Sequence, residues 1–346
     1  MRALLSLLVF ACVSLPCHAV TGTYEPVVSM HVDVARRVGA GQLDGLLQDA
    51  DRLQDSQERF PDGRWKLPVF YRGLSNGFAE HASTESDWTR YQADVTALIA
   101  RHPASSNAWL MLAVLHDSHA WAVRGGGYSN TVSAAAHARF RALLEQSREV
   151  LNRHKAALSS NPHWYVLRLD VGGSAGDDEA ELDAVFEEGV RKTPSYQQIW
   201  FTRLHFLTPK WGGSIEQMVD FISHVPRHPA GGDGIGMVAR LLWFEDADGY
   251  PNLVSQPGLD WAVVKKSYDD ILDRYPAGLV AGLSILQACG RSDKAETLHL
   301  LARIKTPPTP AELGADAVLY KQCTDWANGR IPGFILREGG KDREIH

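Results

Sequence analysis

Cysteine is scarce: the 346 residues hold four, and two of them, Cys12 and Cys17, fall in the apolar N-terminal stretch. The remaining pair, Cys289 and Cys323, cannot make a structural zinc site by themselves. Past the first residues there is also no uninterrupted apolar run of the ~20 residues that a spanning helix needs. "GLVAGLSILQA" stops at Cys289. Positive charge is not in excess. With 35 Lys and Arg against 41 Asp and Glu, the formal net charge is −6. That balance excludes the basic surface on which nucleic-acid binding depends. Sustained alternation of apolar and polar residues is almost missing, which leaves a sheet little raw material.

The chain opens with "MRALLSLLVFACVSLPCHA", in which Arg2 precedes an apolar run from Ala3 to Leu15, then Pro16 and small residues ending at Ala19. This is the pattern of a secretory signal peptide over residues 1–19. The expected location is therefore periplasmic or secreted. Lipidation through Cys12 is the lesser alternative, because Phe10 is bulky for that processing site. In an oxidising compartment Cys289 and Cys323 either form a disulfide, worth roughly 3 to 4 kcal/mol in the chain-entropy model, or stay as two separately buried thiols.

Helical spacing dominates the rest. Trp88, Tyr91, Val95, Leu98 and Ile99 follow an i, i+3, i+7 pattern, and "STESD" before them offers capping oxygens. Phe140, Leu143, Leu144, Leu151 and Leu158 form a longer stripe, and Trp261, Val264, Tyr268, Ile271, Leu272 and Tyr275 another. Between such segments stand Pro103, Pro162, Pro194 and Pro276. Proline cannot continue a helix but suits the first turn of the next, so each marks a tight turn in a helical hairpin. The expected class is all-α, an irregular tetratricopeptide-like α-solenoid in which neighbouring hairpins complete each other's core. The proline intervals of 59, 32 and 82 residues show the irregularity. The expected parts are an N-terminal hairpin and aromatic segment (24–84), a helical-repeat domain (85–305), and a C-terminal helix with a mobile tail after Arg337 (306–346).

"WAVRGGGYS" from Trp121, "NPHWYVL" from Asn161, "LTPKWGGSIEQM" from Leu207 and an N-terminal "GQLDGLLQDADRLQ" together resemble a bacterial domain-of-unknown-function family, number four thousand and thirty-four in its series. The resemblance covers roughly Val27 to Arg303. It implies a tetratricopeptide-type helical fold and supplies no catalytic residues.

Several stretches invite a functional reading beside a structural one. In "LTPKWGGSIEQM", Gly212 and Gly213 permit unusual backbone angles, Ser214 and Gln217 have capping-box spacing, and Trp211 folds back onto apolar neighbours. As a site, the same helix start attracts a small anion, with Lys210 close by. In "RGGGYS", Arg124 suits a last helical turn, Gly125 terminates it, and Ser129 or Thr131 caps the next helix. Arg124, Gly126, Tyr128, Lys210, Trp211, Gly212 and Ser214 are the partner-binding candidates. "GGSAG" at 172–176 matches G-x-S-x-G and makes Ser174 a candidate nucleophile, although "NP" before it and Asp177 and Asp178 after it argue against a strand-turn-helix elbow. "HDSH" sets His116 and His119 three apart, a spacing compatible with metal ligation, on a helix apolar nearly all round. "FEDADGYPN" offers Asp246 and Asp248 for calcium, but Pro257 stands where an EF-hand needs its closing glutamate. The ten tryptophans are expected to fill seams between hairpins.

The expected function is binding of a protein or peptide partner in the bacterial envelope by an exported helical-repeat protein, with no cofactor. A serine hydrolase using Ser174, or a metal-binding protein using His116 and His119, is the alternative.

Overall fold

The computed structural model describes residues 25–127, 129–229, 233–247, 249–250, 253–338 and 341–345. The stretch expected to be a leader, with Cys12, together with Tyr128 and Asp248, lies outside the described residues.

Helices follow one another in hairpins, beginning with α1 (Glu25–Gly39) and α2 (Leu43–Ser56), hinged at Gly41 with φ +69°. Next come α3 (Lys66–His81), α4 (Glu85–Arg101), α5 (Ser106–Arg124), α6 (Ala134–Arg153) and the short α7 (Lys155–Leu158). The middle of the chain holds α8 (His163–Ala175), α9 (Glu179–Lys192), α10 (Gln197–His205), α11 (Ile215–His224) and α12 (Gly236–Ala247). Then follow α13 (Trp261–Arg274), α14 (Gly278–Gly290), α15 (Lys294–Arg303), α16 (Pro310–Leu313) and α17 (Ala317–Ala327). Each punctuating proline falls between helices: Pro103 after α4, Pro162 at the N-cap of α8, Pro194 after α9 and Pro276 after α13. The α4 stripe Trp88, Tyr91, Val95, Leu98 and Ile99 is the set that the helix buries, and Thr84 and Asp87 cap its start reciprocally.

The hairpins stack into an irregular all-α solenoid. One row runs α1, α3, α5, α8, α10, α12, each packed on the next. A second row packs behind it, with α4 on α5, α6 on α5 and α8, and α9 on α8 and α10. The stripe from Phe140 to Leu158 is split between two helices, because the chain leaves α6 at His154 before α7 begins. The aromatic segment before Thr84 contributes α3. Its Gly73 and Gly77 let α1 approach so closely that a Cβ at Gly77 would lie 2.7 Å from Val38 Cβ.

Cys289 and Cys323 form a disulfide, with Cα atoms 5.7 Å apart, joining α14 to α17. The end of the chain differs from the mobile tail expected there. β1 (Phe334–Glu338) and β2 (Lys341–Ile345) pair as an antiparallel hairpin, Phe334 opposite Ile345. Leu336 and Ile345 are buried in the core cluster that includes Trp326, and the Arg343 guanidinium donates to the carbonyl of Gly290. Docking, not alternation alone, makes these residues strands.

Candidate functional site

Helix α5 is the axis of the first row. Every residue from Asn107 to Trp121 except Trp109 is buried on it, because α3, α4, α6 and α8 surround it. "HDSH" is therefore interior, and the polar groups there need partners. His119 stacks on Trp88 with ring centroids 4.4 Å apart, and its Nε2 lies 3.3 Å from Glu85 Oε1. Ser118 Oγ donates to the carbonyl of Val114 at 2.7 Å and lies 2.8 Å from Ser75 Oγ. Burial, helped by His119, pushes the His116 imidazole down to about 4. Among the described residues no hydrogen-bond partner reaches the buried Asp117 Oδ1.

Asp117 opens into a cavity of about 150 Å³ enclosed by α3, α5, α8, α10 and α12. Its floor is buried and includes Tyr71, Val114, Asp117, His163, Leu167 and His205. Its rim is half-exposed and includes Arg72, Ser75, Asn76, Asp170, Gln198 and Phe244. Five helices contribute, so the site exists only after the row has stacked.

A polar network holds the floor rigid from below. Asn107 Nδ2 donates to Asp51 Oδ1 (2.7 Å) and Gln54 Oε1 (2.8 Å), and Asn161 Nδ2 donates to Gln54 Oε1 (2.7 Å) and Asn107 Oδ1 (2.8 Å). The Tyr71 hydroxyl donates to Asn107 Oδ1 at 2.5 Å. Tyr71 then stacks on His163, centroids 4.0 Å apart and planes within 6°, and His163 Nδ1 meets the Tyr196 hydroxyl at 3.0 Å. Both ends of the Tyr71–His163 stack are thereby pinned.

Burial pushes His163 down to about 3, so its ring is neutral at ordinary pH. Asp117 moves the other way. Burial first, and the neighbouring Asp170 carboxylate second, hold its carboxyl well above the usual range. A buried carboxyl with a raised titration, set in a cleft, is the kind of group that functional sites hold.

Arg124, Gly126, Lys210, Trp211, Gly212, Ser214, Ser174, His116 and His119 are not among the residues that line this cavity. The two glycine corners are nevertheless neighbours. Arg124 sits over the Trp121 ring at 5.2 Å, and Trp121 meets Trp211 edge-on at 6.1 Å. Trp211 also packs on His205 at 5.4 Å, and His205 belongs to the cavity floor. Arg124 closes its own corner by donating to the carbonyls of Gly125 (3.0 Å) and Gly127 (3.2 Å), while Gly126 is exposed. The helix after this corner is capped by Ser133, not by Ser129 or Thr131, which lie in a 3-10 turn. At the second corner Gly212 has φ +92°, and a Cβ at Gly213 would meet the Leu207 carbonyl oxygen at 2.0 Å. Ser214 caps α11 through the Gln217 amide, but the Gln217 side chain donates to Glu179 instead of returning to complete a box. Lys210 and Gly212 are exposed.

Ser174 lies in the last turn of α8, with Gly176 as the left-handed C-cap, so "GGSAG" is a helix end. Gly173 is flush against the Phe206 ring, and Asp178 caps α9. The strand that a nucleophile elbow requires is helical here. Among the described residues no group of three or more His, Cys, Asp or Glu side chains is placed to hold a metal ion.

Asp117 and Asp170 escaped the sequence reading, although each is a charge inside an apolar helical run, "VLHDSHAW" and "WYVLRLDV". That interruption is the one signal they leave. The chain matches no family model, and no curated protein or solved structure matches it either.

Proposed function

We propose that this chain is an exported helical-repeat protein of the bacterial envelope that binds a protein or peptide along its first row of helices, with the cavity between α3 and α12 as the anchoring point. The observation that carries this reading is Asp117, a buried carboxyl with an unpartnered oxygen facing a pre-formed pocket. Solenoid rows expose extended surfaces suited to extended partners, and a rigid pocket in such a row lets one side chain set the register. Export is supported by the leader pattern and by the bond between Cys289 and Cys323. The hydrolase and metal readings gain no support from the places of Ser174, His116 and His119.

The test is cross-linking capture from an envelope fraction with the wild-type chain and with Gln198→Trp, which plugs the rim while leaving the floor intact. A partner recovered by the wild type and lost with the plugged variant is the expected result. Equal recovery by both, or recovery of nothing, would overturn the reading.

A further inference from the structure

Resting on that reading, we propose that the cavity receives an organic cation, the ammonium or guanidinium of a basic side chain on the bound peptide. Two carboxyl groups from different helices, Asp117 on α5 and Asp170 on α8, border one small space and act on each other electrostatically. Asp117 is only 4% exposed, and its Oδ1 has no donor among the described residues. A buried acceptor left open in a pocket calls for a donor from outside. An ammonium or guanidinium supplies donors only, and its charge suits a carboxyl pair. The walls suit the stem of such a side chain, since Val114, Val166 and Leu167 are apolar and Phe244 presents an aromatic ring at the rim.

The charged and titratable groups that line the cavity with Asp117 are Tyr71 and Arg72 on α3, Asp170 and His163 on α8, and His205 on α10. His163 is held neutral by burial. Among the described residues that line the cavity, Arg72 is the one Arg or Lys side chain, and its charge is felt by His31 on α1. At a pH where Asp117 is protonated, an entering cation takes the place of that proton. The proton leaves to solvent, the two carboxylates remain, and the charge of the site is conserved. No covalent bond forms or breaks apart from that O–H.

Isothermal titration calorimetry tests this on the full chain with N-acetyl-lysine amide, its uncharged isostere N-acetyl-norleucine amide, 1,4-diaminobutane and a lysine-centred tripeptide, each in two buffers of different ionisation enthalpy. The expected result is at least tenfold tighter binding of the lysine amide than of the norleucine amide, with proton release. Asp117→Asn, checked by circular dichroism to be folded, should remove both the preference and the proton release. Equal affinity for the two amides, or an unchanged lysine preference in Asp117→Asn, would overturn the cation site. If neither amide nor the tripeptide binds while capture still depends on an unplugged rim, the cation site fails and the partner reading stands. If 1,4-diaminobutane binds as tightly as the tripeptide and Asp117→Asn abolishes both, the cation site stands, its ligand is a free amine, and the peptide reading fails.

Discussion

Burial holds the folded Asp117 carboxyl well above its ordinary value of 3.8, so between that value and the raised one the folded state binds the extra proton. Stability attributable to this residue is therefore full below that pH and is lost as pH rises toward the raised folded value. Replacing it with the isosteric amide removes the penalty. Asp117→Asn should melt at least as high as the wild type at pH 7, and its advantage should widen in thermal melts as pH rises above ~3.8 toward the raised folded value. A variant uniformly less stable would assign the carboxyl a structural role. His163 works in the opposite direction. Its folded value of about 3 lies below the ordinary ~6.5, so the unfolded state binds the proton first on acidification. The stability it contributes is present above pH ~6.5 and is lost as pH falls toward 3, an effect on the order of 4 to 5 kcal/mol at the limit. His163→Phe keeps an aromatic ring over Tyr71 and should flatten the acid limb of a denaturant titration between pH 6.5 and 4. None of these shifts was legible from the chain. Asp117 and Asp170 are 53 positions apart, and only burial on touching helices makes one sense the other.

Among the elements, α4, α11 and α13 were legible because each buries one stripe and exposes the rest, which periodicity reports directly. Helix α3 was not, because "FYRGLSNGF" carries two glycines that lower helix propensity. Contact with α1 overrides that cost, since Gly73 and Gly77 are where the two backbones come together. Gly77→Ala should destabilise by about 1 to 2 kcal/mol, overpacking against Val38 outweighing the propensity gained. Gly45→Ala in α2, whose new methyl would meet only the far end of the Arg37 side chain, should be neutral or stabilising by up to about 1 kcal/mol. Urea unfolding of the two variants checks the contrast, and equal behaviour would mean that α1 slides away freely. The C-terminal hairpin was missed for a related reason. Two five-residue strands carry too little pattern to announce themselves and take their form from docking Leu336 and Ile345 on the helices.

At the scale of the whole molecule, the Cys289–Cys323 bond ties the last helix, α17, to α14 over 34 positions. In a solenoid the terminal unit has a neighbour on one side only, so a staple there does most good. The double variant Cys289→Ala/Cys323→Ala should lose roughly 3 to 4 kcal/mol. Hydrogen exchange should place the loss in α14 to α17 and leave α3 to α10 protected, whereas uniform loss along the chain would mean that the array unfolds as one cooperative unit. Read as a line, the amino acids settled what depends on near neighbours: which segments coil, where prolines end them, and that oily stripes must be shared between successive hairpins. They were equally plain about the charge balance. Stacking decided everything that requires distant residues to meet. It chose between free and bonded cysteines, joined the two glycine corners through Trp121, and closed five helices around a carboxyl whose chemistry changes once water is removed. The division has one physical cause. Helix formation is a matter of residues three and four apart, while burial, and with it the state of Asp117, belongs to the assembled array.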